Sequence, residues 1–527
     1  MTSDFDIVVM GAGQNTLGTA AYLAKAGKKV LVLERHSHIG GGAVTLERNL
    51  PGFKYDKHST VHILIQANPL ITNDELGLLS KFGLEYYYPP ISTATILEDF
   101  RMLGFDYDID KTCAEIAKYS QKDADAYRDF ALWGKRILPM VLAGMFTVPV
   151  PMSAFFGLLE QSEDGLRLLD MMMRSPLQIV DELFESDILK IHLLKVVSEH
   201  LLQFPDDMGT GLGMLLMPAF LHTYRMGLPV GGSGALSKAL AACIEYHGGE
   251  IRTGVEVSRV LVENGRAAGL ETTDGEQYRA RDAVVASIHP RHLDRFVDGL
   301  DPAMVQRGKR ARPAPYTLMK IDAAIDGPVE TKIPEELSEA MCEMILANTL
   351  GEFLESFDPI RHGKPSVERP LIGGNAHSPE GRVPEGKALG YLISYQPYNL
   401  ADGGPGRWDQ IKEEVADKVI EKMTHFIPGL VPEVFLEREV DSPLDIERYS
   451  PNSMMEGDFC GLGFQLFHTG GYRPTPELAQ YAVPGVKGLY LSGPFMHPGG
   501  GIFAVGRPAA VKICGDLGID FDKVVRK

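Results

Sequence analysis

The 527-residue chain is 44% hydrophobic and 23% charged, an ordinary globular composition that excludes a disordered or fibrous protein and suffices for two cores. Its 52 Lys and Arg against 70 Asp and Glu give a formal charge of -18, which disfavours nucleic acid and attracts anionic lipid little. Cys113, Cys243, Cys342, Cys460 and Cys514 are too scattered for a zinc site and read as reduced thiols, and no export-signal layout opens the chain, so a cytoplasmic location is expected.

Asp6-Ile7-Val8-Val9-Met10 is a short apolar strand run. It leads into Gly11-Ala12-Gly13, a helical stretch from Asn15 to Ala26, a second strand Lys29-Val30-Leu31-Val32-Leu33 and the acid Glu34. That order is what a bound dinucleotide requires. Gly11 permits the tight turn, Gly13 lets a pyrophosphate approach amides at a helix N-terminus, and Glu34 accepts hydrogen bonds from the adenosine ribose. Thr16 replaces the third glycine of the GxGxxG pattern and is expected to push the helix outward slightly. Behind Glu34 and Arg35, Gly40-Gly41-Gly42 forms a second glycine cluster, which the longer FAD needs and NAD does not.

Residues 137–159 carry no charge and are long enough to span a bilayer, but Pro139, Pro149 and Pro151 would break such a helix. A buried helical core is the expected state, with a shallow membrane-contacting surface as the alternative. Helices are expected from about 110 to 205. Met171, Met172, Met173, Met214, Met217, Phe155, Phe156 and Phe204 are soft side chains able to line an adaptable cavity, although each singly reads as core. Gly209-Thr210-Gly211-Leu212-Gly213 lacks a preceding strand and a following acid, so a separate NAD(P)H domain is not expected, and oxygen or a quinone would reoxidise the flavin. Asn264-Gly265 and Asp274-Gly275 mark hairpin turns in a β-meander between 248 and 286, and further strands are expected at Thr317 to Ala323 and Ala388 to Tyr395.

Several motifs together resemble the phytoene desaturase-like flavoproteins, which include carotenoid desaturases, carotenoid ketolases and retinol saturases. They are Gly11-Ala12-Gly13-Gln14-Asn15, Leu33-Glu34-Arg35 with Ile39-Gly40-Gly41, Pro51-Gly52-Phe53 with Tyr55-Asp56, and Gly231-Gly232-Ser233-Gly234-Ala235-Leu236. The C-terminal Gly488-Leu489-Tyr490-Leu491-Ser492-Gly493, His497-Pro498-Gly499-Gly500-Gly501 and Gly506-Arg507-Pro508-Ala509-Ala510 match most specifically. The resemblance spans nearly the whole chain. It implies that the C-terminal segment meets the flavin and that Val257 contacts the adenine through its backbone.

The expected fold class is α/β: a FAD-binding Rossmann-like domain of glutathione-reductase type with a discontinuous substrate domain of mixed β-sheet and helices. The cofactor domain is expected in 1–90, 230–300 and 475–527, and the substrate domain in 91–229 and 301–474. FAD is expected to bind non-covalently through Gly11, Gly13, Gln14, Asn15, Glu34, Arg35, Gly40, Gly41, Gly42, Val257, Gly493, His497, Gly499, Gly500, Gly501 and Ile502. His222, Tyr224, Arg225 and His497 are the catalytic candidates, with Tyr395 and His58 weaker ones. The expected reaction is desaturation of an apolar isoprenoid, carotenoid-like or cyclic ketone substrate by hydride transfer to flavin N5. A ketolase, isomerase or saturase of the same family is the alternative within the enzymes, and a prenyl-binding escort or GDP-dissociation-inhibitor type of protein outside them. Homo-oligomerisation and peripheral membrane contact are left open.

Overall fold

The structure, a computed structural model, describes residues 5–48, 50–337, 340–345, 347–372 and 382–526. Phe5–Met10 is a strand buried along its whole length, pairing in parallel with Val30–Glu34 on one side and Gln277–Ala286 on the other. Parallel strands covered on both faces need continuous apolar runs, which explains why these segments lack alternation. Beyond Val30–Glu34 the sheet adds Glu250–Thr253 in parallel, and Leu489–Leu491 joins beside Gln277–Ala286. The meander Val257–Glu263, Arg266–Thr272 and Gln277–Ala286 extends the other edge. Its first turn is set by Asn264 (φ 51°) and Gly265 (φ 72°), the left-handed pair a two-residue hairpin demands.

The two ends of the chain meet backbone to backbone. A Cβ on Gly18, in the helix Gln14–Lys25, would lie 1.9 Å from the Val505 carbonyl oxygen, and one on Gly506 would lie 2.0 Å from that of Asn15. Gly506 initiates the helix Arg507–Asp516 with φ 69°, and Pro508 sits in its first turn, where a missing N–H costs nothing.

A second sheet runs in the order Phe435–Asp441, Thr317–Ile325, Ala388–Gln396, Leu371–Ile372, Met341–Ile345, Ile91–Leu97, Met102–Asp106. Its alternating side chains face two cores. Met319, Ile321 and Leu392 meet Trp408 and Val419 of the helix Trp408–Met423. Leu318, Ile393 and Tyr395 belong to the cluster formed with the helices of residues 109–221. Asp56 ties the two sheets at their junction: its carboxylate accepts from Arg382 Nη1 at 2.7 Å and from the Ser233 amide at 2.8 Å, while Lys320 donates to its carbonyl.

Residues 137–159 meet the expectation of a buried core on one side only, where Ile137, Leu138, Leu142, Phe146 and Leu159 are buried. The helix Gln121–Met145 continues through Pro139, which faces solvent, and Met140, Val150 and Leu158 are 43%, 52% and 58% exposed. The break comes at Pro149 and Pro151, before the helix Met152–Leu159. No helix among the described residues is long and apolar enough to cross a membrane.

Candidate active site

Two cavities adjoin between the sheets. Gln14, Gly42, Met454 and Phe459 line both, so an extended ligand can run from one into the other. The first is walled by Gly11, Gly13, Gln14, Asn15, Glu34, Arg35, Gly41, Gly42, Val257 and Gly493, all named from sequence. The helix Gln14–Lys25 opens here with no side-chain cap and no acid in its first turn, so its amides and positive dipole end are available to an anion. A Cβ on Gly13 would find nothing within 4 Å and would project into this space. Glu34 accepts from the Ala12 amide at 2.7 Å and the His36 amide at 2.9 Å, leaving further lone pairs for ribose hydroxyls. Such a cradle fits a dinucleotide pyrophosphate and its adenosine.

Thr16 is buried, and its hydroxyl reaches the Gly11 and Gly13 carbonyls at 2.6 and 3.0 Å, bracing the glycine turn. Gln14 and Asn15 have a second role that the motif does not announce. Their side-chain amides donate to the Gly501 carbonyl at 2.8 and 3.2 Å, fastening the first helix to the C-terminal loop. At the adenosine end Tyr449, unforeseen from sequence, forms a roof. His36 stacks on its ring at 4.6 Å, His38 Nε2 lies 2.8 Å from its hydroxyl, and Arg35 donates to its carbonyl at 2.6 Å.

The second cavity is lined mainly by apolar side chains, among them Ile63, Leu64, Met217, Leu318, Ile393 and Phe464. Gly500, Gly501 and Ile502 form its wall next to the first cavity. Its polar groups are few: Gln14, His58, Ser59, Thr60, Glu199, His200, Tyr391 and Tyr395. Both His58 ring nitrogens are buried without a hydrogen-bond partner, and burial pushes its pKa down to about 3, so the ring is neutral. Glu199 accepts from buried Lys195 at 2.9 Å and buried Arg369 at 3.2 Å, and the Lys195 ammonium lies 4.7 Å from the Tyr395 ring centroid. Next in sequence, His200 has Nδ1 2.7 Å from the Val196 carbonyl, and burial pulls its pKa below the ordinary value.

Several sequence candidates fall elsewhere. His222 is fixed at both ring nitrogens, by Tyr127 Oη at 2.7 Å and the Tyr107 carbonyl at 3.0 Å, and lines neither cavity. Tyr224 packs on Phe220 and Arg225 is exposed over the Tyr107 ring, because the chain after the helix Leu212–Leu221 turns outward. His497 Nε2 reaches the Gly144 carbonyl at 3.0 Å, which carries the ring away from both cavities. Gly40 is held by its amide to the Ala12 carbonyl, and Gly499 rests on the Arg473 guanidinium; neither lines the space itself. Of the catalytic candidates, only the two weaker ones, Tyr395 and His58, wall the second cavity.

The soft residues are mostly core. Met217 lines the cavity, whereas Met171, Met172 and Met214 are buried in the helical cluster, and Met173 is exposed. Phe155 and Phe156 are half-buried, and Phe204 packs on Tyr316 and Phe357. Arg473 was not legible either. Fully buried, it donates to the Cys460, Gly463, Pro494 and Met496 carbonyls and so holds the two loops that carry the cavity wall.

Residues 9–72 match the NAD(P)-binding Rossmann-like domain, and 148–343 match the flavin containing amine oxidoreductase family. The chain is 30% identical to pyridine nucleotide-disulfide oxidoreductase domain-containing protein 2 of Mus musculus, over 98% of this chain and 94% of that one. It is 27% identical to a limonene dehydrogenase subunit from Castellaniella defragrans, over 98% and 95%. In fold it is similar to an oxidoreductase from Methanosarcina mazei, at 18% identity and TM-score 0.59 over 97% of this chain and 99% of the other. The glycine-lined cradle, the second cavity beside it and these likenesses lead to one conclusion: the chain belongs to the phytoene desaturase-like family of flavoprotein oxidoreductases, with FAD as cofactor.

Proposed function

We propose that this protein is a desaturase, or dehydrogenase, that introduces a C=C bond into an apolar isoprenoid-like or cyclic ketone substrate. The observation that carries the reading is the junction of the two cavities: an anion-binding cradle runs directly into an apolar chamber, with Gly500 to Ile502 between them. Gly11, Gly13, Gln14 and Asn15 hold the pyrophosphate, Glu34, Arg35 and Val257 the adenosine, and Gly41, Gly42, Gly493 and Gly500 to Ile502 the remainder of a non-covalent FAD. When bound, FAD supplies the two-electron oxidant. The residues of this chain position an apolar substrate beside it, exclude water and manage the proton, with oxygen or a quinone as final acceptor. Residues 1–90, 230–300 and 475–527 serve as the cofactor domain, and 91–229 and 301–474 as the substrate domain.

Relatives support the choice of chemistry. In addition to its likeness to the limonene dehydrogenase subunit, the chain is 25% identical over 306 residues to phytoene desaturase (lycopene-forming) of Pantoea ananas. The test is anaerobic: FAD-loaded protein mixed with a panel of terpenoids, cyclic ketones and carotenoid precursors is expected to lose its oxidised-flavin absorption with at least one class and to release the desaturated product. Flavin bands unchanged by every class, with FAD bound throughout, would remove the desaturase reading.

A further inference from the structure

The substrate cavity holds a histidine whose tautomer is fixed by its surroundings. The Val196 carbonyl can only accept, so His200 Nδ1, 2.7 Å away, carries the ring proton and Nε2 carries a lone pair. Nε2 makes no hydrogen bond to any described residue, and His200 lines the cavity. We propose, resting on the desaturase reading, that His200 Nε2 accepts the substrate proton, and that this proton comes from a carbon beside a carbonyl. The substrate class is then an oxygenated apolar molecule, such as a cyclic ketone, in preference to a plain hydrocarbon.

Burial disfavours the imidazolium that this step creates, and the surrounding groups offset only part of that cost. His200 lies in the last turn of the helix Asp187–Leu201, which ends at Leu202 with φ 51°, so the negative end of the helix dipole acts on it. Glu199 adds a negative charge beside it. Lys195 opposes protonation, and both it, at 2.9 Å, and Arg369, at 3.2 Å, are paired with the same Glu199 carboxylate. Before the reaction, burial keeps the ring neutral and ready to accept.

The same facts limit what His200 can deprotonate. A buried imidazole is a weak base, and a C–H bond with no activating group is beyond it; a carbonyl acidifies the neighbouring carbon by delocalising the charge onto oxygen. That oxygen needs a donor, and His58 supplies one: its neutral ring must carry one N–H, and neither nitrogen has a protein partner. The step balances. The α-carbon loses a proton to Nε2, the β-carbon loses a hydride to the two-electron oxidant FAD, and the electron pair left at the α-carbon becomes the new C=C bond. Oxygen or a quinone then reoxidises the flavin.

The test uses the full-length, FAD-loaded protein and two probes that share a carbon skeleton, dihydrocarvone and limonene. With the flavin reduced and air excluded, net oxidation is blocked, and deuterium uptake from D2O at the α-carbons of dihydrocarvone is followed by NMR. Wild type is expected to accelerate uptake over free reduced FAD, and His200→Gln to lose that acceleration at least ~10-fold with the FAD spectrum unchanged. His200→Asn, whose amide N–H can replace Nδ1–H on the Val196 carbonyl, should behave alike and guards against misfolding. With oxidised flavin, dihydrocarvone is expected to bleach the protein faster than limonene. Undiminished exchange in both variants, or faster bleaching by limonene, overturns the inference and leaves the desaturase reading standing. Bleaching by neither probe, where another class of the panel does bleach the flavin, overturns the inference alone, whereas flavin unchanged by every class removes the desaturase reading and the inference with it.

Discussion

The two adjoining cavities are built from different parts of the chain. The first has a cluster of glycines, Gly11, Gly13, Gly41, Gly42 and Gly493, in its wall, and at Gly13 the backbone itself borders open space. The second is walled by side chains drawn from segments as distant as Val61, Met217, Ile393 and Phe464. A cavity of the first kind must hold one invariant shape, a pyrophosphate against a helix end, and tolerates little but glycine. A cavity of the second kind need only be apolar and of suitable volume, which many combinations of residues satisfy.

Substitutions can separate the two. Gly13→Val has the largest expected effect, because Gly13 has φ -71°, which valine tolerates, and its Cβ would meet nothing but the cofactor space. FAD affinity is expected to fall at least ~100-fold, about 2.7 kcal/mol, while the FAD-free protein keeps its melting temperature. Normal FAD binding in a titration of this variant would show that the cradle holds something else. Ile393→Trp, on the strand Ala388–Gln396, fills the second cavity instead. Substrate-driven flavin bleaching is expected to slow ~10-fold with FAD content intact, and an equal loss of both would mean that the cavities do not act separately.

Glu34→Gln retains one carbonyl acceptor for the two amides and the ribose, so a loss of FAD affinity of ~1 kcal/mol is expected by titration; unchanged affinity would take Glu34 out of the site. His497→Ala is the mildest. It removes the link to the Gly144 carbonyl, so ~1 kcal/mol of stability is expected to go while the flavin spectrum stays as in wild type. Burial lowers the folded pKa of His497 to about 4, below its ordinary 6.5. The stability that its neutral form contributes is therefore present above pH ~6.5 and is lost as pH falls toward 4, and the variant should lose less over that window in thermal melts. A shifted flavin spectrum would instead return His497 to the cofactor site.

What could be read from sequence follows the same division. The strand Phe5–Met10, the glycine turn, Glu34 and the Asn264-Gly265 hairpin are local patterns whose physics is complete within about 30 residues, so they were legible. His200 was not: it is an unremarkable position in a helix buried nearly all round until the fold carries it to the cavity wall that Tyr395 and Phe464 also line. The only available signal was the adjacent Glu199-His200 pair, which is equally common on solvent-facing helices. His222 misled because it precedes the Gly231 turn, and nearness in sequence did not become nearness to the cavity once Tyr127 and the Tyr107 carbonyl had claimed its ring. Pro139 misled in the opposite way, since one proline on a solvent-facing turn did not end a 25-residue helix.

If one extended FAD lies across both cavities, a crystal structure of the FAD-loaded protein will show it. Density is expected for the adenosine beside Glu34 and Val257, the pyrophosphate at Gly13, and the isoalloxazine ring against Gly500 and Gly501. Density that ends within the first cavity, with the chamber lined by His58, His200 and Tyr395 out of the ring's reach, would contradict the account.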